Sequence, residues 1–398
     1  MGVSMRALAF SFSLTLFVFL AALGYSQLVA NSRYLYFFSK ETFRWSEERL
    51  NQDAGAPGDI VHLARRKALL YDDLIIRSQL LHGLVVNRST EFSDPLDICD
   101  SLLFSAIRWT SLQKLGWARR ALPALNAIRT SHVEGEWFRH PQCHGLSLSR
   151  DMLTGILMLI SQDPVGSKDD LRRLIERIRE GGGFFSSGPS YVSYLTPGLG
   201  KIMTRLAQKA GIHIAELPAT IRDGYSTNEV SLLWIKPGFE AHLAALSLWL
   251  ELELDGNRPF ERANLLHALL NALVSPFSVA DPIKQAHEWT AFRLVQIDPR
   301  NLFFRYLRFR VIGALNQVVA MQLLDELLAM RQFPDAHLPR SCDRTADYLW
   351  QRGSHEYDQI ELSCSKSFHG TDFLWMVALL VEAIERPQAL SPTSGPKT

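Results

Sequence analysis

The sequence is poor in cysteine, in net charge and in strand-like alternation, and each shortage narrows what the chain can be. Only four cysteines occur in 398 residues, Cys99, Cys143, Cys342 and Cys364. In an oxidising compartment they permit three pairings; otherwise they are buried thiols. With 42 basic and 41 acidic side chains the formal charge is +1, so the positive excess of a nucleic-acid binder is missing. There is no Gly-x-Ser-x-Gly elbow and no Gly-x-x-x-x-Gly-Lys-Ser/Thr phosphate loop. Gly181–Gly183 follows a helical stretch, so it ends a helix and does not cradle a nucleotide. His140-Pro-Gln-Cys143-His144 carries three potential zinc ligands, but their spacing fits neither a closed zinc site nor a helical His-Glu-x-x-His pair. Neither a metal nor a cofactor is expected.

What is present is apolar and helical. Apolar residues make up 47% of the chain, ample for a large core. Ala7–Gly24 is an uncharged apolar run after Met1–Arg6, and Ala22-Leu23-Gly24 places small residues correctly for cleavage before Tyr25. It is also long enough to cross a bilayer uncleaved. Residues 1–30 therefore read as a signal peptide or a membrane anchor. The expected location is periplasmic or extracytoplasmic, with Arg33, Lys40, Arg44 and Arg49 leaving the anchor's orientation open. No later run qualifies as a span: Val311–Met330 contains Asn316, Gln317, Gln322, Asp325 and Glu326. Residues 31–388 read as one helical domain and 389–398 as a disordered tail.

Helical periodicity runs over Ile60–Val85, Arg258–Val274 and Val311–Met330. Ser167 opens another helix, with Leu171, Leu174, Ile175 and Ile178 as its buried stripe. Val133–Phe138 is the one small hairpin expected. The spacing predicts on the order of ten or more helices after residue 40 and little sheet. Cys99 and Cys143 precede helices, and Cys342 and Cys364 bracket a polar loop, so pairing within each neighbourhood is preferred. The loop between Arg352 and Phe368 is then expected to fold over a cleft, tied by Cys342–Cys364.

A loose repetition carries the functional reading. Polar clusters stand immediately before long apolar helices: Ile98-Cys-Asp100 before Ser101–Leu115, Ser149-Arg150-Asp151 before Met152–Ile160, Lys236-Pro-Gly-Phe-Glu240 before Ala241–Leu252, and Phe368-His369-Gly-Thr-Asp372 before Phe373–Ile384. A ring of helical hairpins has inner helices that are apolar nearly all round, with their starts gathered at one end. Helix-start N–H groups there favour bound oxygen atoms. Taken singly, each cluster is also what a helix cap looks like.

With Glu136-Trp-Phe-Arg-His140-Pro ahead of one cluster and Asp347-Tyr-Leu-Trp-Gln-Arg352 ahead of another, the order of motifs from Ile60 to Ile384 resembles the (α/α)6-toroid enzymes that act on polysaccharides. The likeness is architectural. It implies a cleft at one end of a helical ring, lined by aromatics and carboxylates, that holds an oligo- or polysaccharide.

The chemistry follows from residue types. Inverting hydrolysis needs one carboxylic acid and one carboxylate about 6.5–9.5 Å apart. Asp100 and Asp151 are the preferred pair and Asp372 the alternate. Arg150 suits a carboxylate or an acidic sugar, unless it is only an ion-pair partner of Asp151. His140, His144 and His369 suit proton transfer or substrate contact, and Trp137, Tyr348 and Trp350 suit stacking on sugar rings. Two alternatives stand beside glycoside hydrolysis. One is a polysaccharide lyase with His369 or Tyr348 as base and Arg150 or Arg352 neutralising a uronate. The other is a non-catalytic envelope scaffold.

Overall fold

The computed structural model describes residues 57–86, 88–89, 101–133, 136–143, 148–185, 193, 195–214, 239–255, 283–330, 332–340 and 366–386. The chain divides into two compact units, Met1–Asp53 and Ala54–Thr398, and everything below concerns the second. The expected helix over Arg258–Val274, the loop 353–367 except its last two residues, and Ala7–Gly24 lie outside the described residues. Among the described residues no helix is long and apolar enough to cross a membrane.

The fold is all-α. Eleven helices are described: α1 (Pro57–Ser78), α2 (Ser101–Lys114), α3 (Ala118–Arg129), α4 (Arg150–Gln162), α5 (Lys168–Glu180), α6 (Pro197–Lys209), α7 (Phe239–Asp255), α8 (Ile283–Ile297), α9 (Leu302–Val311), α10 (Gln317–Ala329) and α11 (Thr371–Glu385). Strands are two residues long and pair antiparallel: β1 (Leu80–Leu81) with β2 (Leu84–Val85), β3 (Arg88–Ser89) with β6 (Lys366–Ser367), and β4 (His132–Val133) with β5 (Glu136–Trp137). The last of these is the hairpin expected around Glu134-Gly135.

Two expected helices are shorter than their periodicity. Ile60–Val85 stops at Ser78, because His82 (φ 52°) and Gly83 (φ 80°) form a left-handed two-residue turn that folds Leu84 and Val85 back on Leu80 and Leu81. A Cβ on Gly83 would meet that of Ala127 at 2.7 Å, so the turn needs glycine for space as well as for φ. Val311–Met330 is split: Gly313 at φ 69° ends α9, and Asn316 caps α10 by accepting the Val319 N–H at 2.9 Å.

Two kinds of helix are present. In α5 only Leu171, Leu174, Ile175 and Ile178 are buried, the stripe of a helix covered on one side. In α2 every side chain from Ser101 to Leu112 is buried, in α4 every one from Asp151 to Ile160, and in α11 every one from Thr371 to Val381. Residues 241–252 of α7 are likewise buried. Trp249 of α7 and Trp375 of α11 meet edge to face at 4.6 Å between centroids, both fully buried; each contributes roughly 1.5–3 kcal/mol through burial. Gly155 of α4 lets α2 come close, since a Cβ there would lie 2.9 Å from the Leu103 Cα.

The ends of these helices fix their direction. Lys114, the last residue of α2, reaches Glu382 of α11 at 2.6 Å and Glu253 of α7 at 3.2 Å, and Arg310 of α9 reaches Glu253 at 2.7 Å. All four lie in the final turns of their helices. At the other end the His369 ring, just before α11, lies 4.1 Å from Phe104 in the first turn of α2, and His242 of α7 lies 5.6 Å from Phe304 of α9. Helices α2, α7, α9 and α11 therefore run parallel, with their starts together. α1 runs opposite to α11, with Arg65 at Glu385 and Tyr71 at Phe373. Sequentially, α2 packs on α4 and α11, α4 on α7, α7 on α8 and α9, α9 on α10, and α10 on α11.

Candidate functional site

The gathered helix starts are the place where the polar clusters meet the core. Asp372 is 3% exposed and stands in the first turn of α11. The residue before that helix, Gly370, has φ 66°, and a Cβ on it would press on Leu338 and Tyr71 at 3.0 Å. This tight entry presents His369 to Phe104. The Nδ1 of His369 accepts the Thr371 backbone N–H at 3.0 Å and lies 2.6 Å from the Thr371 hydroxyl, so the neutral ring carries its proton on Nε2. Burial pushes this histidine down to about 3: it stays uncharged at neutral pH and is a weak base there.

Asp151 is 8% exposed at the start of α4 and accepts the Ser149 hydroxyl. Arg150 beside it makes no ion pair among the described residues, so the purely structural Arg150–Asp151 pair is not formed. Arg139, upstream in the chain, is tied to the α2 start, where the Ser101 hydroxyl donates to its carbonyl at 3.1 Å.

His140 and Trp137 make contacts within the scaffold. His140 is fully buried; its Nε2 donates to the Leu81 carbonyl at 3.3 Å and its Nδ1 accepts the Gln142 N–H at 3.1 Å. Burial, aided by neighbouring His82 and opposed by the Leu81 carbonyl, lowers its pKa. Trp137 has one face stacked on His132 at 4.5 Å. Cys143 is disulfide-bonded, which removes the free-thiol reading for that residue. Its possible partners Cys99, Cys342 and Cys364 lie outside the described residues, as do Asp100, His144, Tyr348, Trp350 and Arg352.

Sequence reasoning missed two residues at this end. Asp298, between α8 and α9, is 2% exposed; its Oδ1 accepts the Arg300 N–H at 3.2 Å, while Oδ2 has no hydrogen-bond partner among the described residues. Burial raises its pKa to about 6, against the pull of Arg300. His242, in the first turn of α7, is pushed by burial to about 3, and its Nδ1 is unpartnered among the described residues. In sequence Asp298-Pro-Arg-Asn301 is an ordinary turn leading to a cap. Only the raised protonation of Asp298 marks it, and that follows from tertiary burial.

These shifts set a pH dependence. A buried histidine that stays neutral loses stability as pH falls from 6.5 toward 3, because only the unfolded chain takes up the proton. Asp298 acts oppositely, gaining stability as pH falls through 6. His242 and His369 together outweigh it between pH 7 and 5. Replacing His242 with Phe is expected to shrink the difference in stability between pH 7 and pH 5 by about 2 kcal/mol. Urea unfolding at the two pH values reads this, and an unchanged difference would show that His242 titrates normally.

Comparison with known protein families, with curated proteins and with solved structures finds no match to this chain.

Proposed function

We propose that this protein is an exported or membrane-anchored glycan-processing enzyme, a glycoside hydrolase whose cleft lies over the gathered starts of α2, α7, α9 and α11 and takes in the start of α4. The supporting observation is the parallel set of buried helices, with their last turns joined through Lys114, Glu253, Arg310 and Glu382 and buried carboxyl groups at their starts. The order of neighbours, α2–α4–α7–α9–α10–α11 with α11 packed again on α2, supports this reading.

In this reading Asp151 is the base that activates water, with Asp100 its first partner and Asp372 the alternate. Asp298 joins them as a candidate acid, because burial pushes its carboxyl up to about 6 and so leaves it protonated more often than an ordinary aspartate. Arg150 holds a substrate carboxylate or hydroxyl. His369 orients the α11 start as a neutral group, and its low basicity weighs against the lyase reading that uses it as base. Ala7–Gly24 delivers the enzyme to the membrane or across it.

The test is hydrolysis of a broad panel of oligo- and polysaccharides, followed by the Asp151→Asn variant. Turnover is expected to fall by about 10²-fold or more with binding retained. New absorbance at the ultraviolet edge would mark an elimination and hence a lyase. Binding without cleavage of any glycan would favour a scaffold, and unchanged turnover in folded Asp151→Asn would make Asp151 a cap.

A further inference from the structure

A concave surface lies at the far end of α2, about 20 Å from its start at 1.5 Å per residue. It is an open groove of about 560 Å³ between the first half of α1 and the α2–α3 corner. Its lining is basic. His62, Arg65, Arg66, Arg119 and Arg120 line it, with Trp117 on its wall, and no carboxylate belongs to the lining. In a chain whose formal charge is +1 over 398 residues, this concentration is local and not a reflection of composition.

The groove is also built. The Arg65 guanidinium is held by the Leu115 carbonyl at 3.0 Å and by Glu385 at 2.9 Å. Arg120 is held by Asp72 at 2.8 Å and Asp73 at 2.7 Å. These two are fixed from behind, whereas His62, Arg66 and Arg119 are exposed and make no ion pair among the described residues. The start of α3 opens on the same corner: its capping residue is Trp117, which supplies no side-chain acceptor, and its first turn has no acidic residue. Its N–H groups add positive potential to the groove.

We propose that this groove binds a phosphate-bearing organic ligand, separately from the glycan cleft. Arginine forks match phosphate oxygens in pairs. The volume exceeds what a bare ion fills and falls in the range of small-ligand pockets. Trp117 offers a flat face for the organic part. The phosphate has two possible sources, a soluble phosphate ester or the headgroup of an anionic lipid.

The experiment uses the full chain and two probes. Inorganic pyrophosphate is titrated by calorimetry, and vesicles of phosphatidylcholine with and without one part in five phosphatidylglycerol are tested by co-sedimentation. The same measurements are made on Arg66→Glu/Arg119→Glu, whose exposed side chains leave the core untouched. Pyrophosphate binding that the double variant weakens at least 10-fold supports a soluble ligand. A preference for anionic over neutral vesicles, lost in the variant, supports the headgroup. Binding of neither probe, or binding that the variant leaves unchanged, overturns the proposal. Circular dichroism of the variant confirms that loss of binding is not loss of fold, and glycan hydrolysis by the variant should persist.

Discussion

Asp72→Asn is expected to remove about 3–5 kcal/mol of folding stability. Asp72 is fully buried on α1 and Arg108 on α2 is 4% exposed. The Arg108 Nε donates to Asp72 Oδ1 at 2.7 Å, and Arg120 of α3 donates to Asp72 Oδ2 at 2.8 Å. One carboxylate thus joins three helices. Asparagine keeps the shape but removes the charge, and it presents an amide N–H₂ to one of the two guanidinium groups. Arg108 then remains buried without a counter-charge, and that residual charge, more than the lost attraction, sets the penalty. Asp73→Asn is the control. Asp73 also pairs with Arg120, but its side chain is 37% exposed, so its loss should cost under about 1 kcal/mol. Denaturant midpoints of the two variants at neutral pH measure the contrast, and equal losses would show that burial of Asp72 is not the deciding factor.

Much of the helix inventory was legible, because it depends on local pattern. Met152–Ile160, Ala241–Leu252 and Phe373–Val381 are apolar nearly all round, Ser101–Leu112 less so, and all four are buried on every side. Where pattern misled, a turn overrode it. Leu80, Leu81, Leu84 and Val85 fit helical spacing, yet His82-Gly83 turns them into a hairpin whose Val85 N–H donates to the Ser105 hydroxyl at 2.8 Å. The site was legible only in part. Asp151, His369 and Asp372 do stand at the starts of buried helices, but nothing near Asp298 or His242 in sequence announces that tertiary packing will strip them of water. His140 lies in a polar stretch of sequence; its partners in the fold, the Leu81 carbonyl and the Gln142 N–H, are backbone groups that composition does not reveal. The basic groove was missed for a similar reason: His62–Arg66 and Arg119–Arg120 are separated by more than fifty positions, and each reads alone as a solvated helix face.

The joint that aligns the last turns of the inner helices was also invisible, since Lys114, Glu253, Arg310 and Glu382 each resemble an ordinary charge near a helix end. Burial tends to push the Glu253 carboxyl up, and the adjacent Arg310 and Lys114 charges overcome that and hold it below the usual carboxylate range. Glu253→Gln is therefore expected to destabilise the fold by about 3 kcal/mol, because the Arg310 side chain is only 4% exposed and loses its 2.7 Å carboxylate contact. Lys114 suffers less, since Glu382 stays at 2.6 Å. Replacing both partners, Glu253→Gln with Arg310→Met, should recover most of the loss by removing the stranded guanidinium. The sign of the pH dependence follows. A carboxyl with a depressed pKa stabilises the fold above its unfolded value, and that contribution fades as pH falls through its lower folded value. Wild type should lose more stability on acidification below pH 4.5 than Glu253→Gln does. If the double variant were no more stable than Glu253→Gln alone, the joint would owe its strength to something other than the Arg310–Glu253 pair. If it recovers, the parallel alignment of α7 and α9 depends on apolar packing above the joint, with the charges serving to fix which last turns meet.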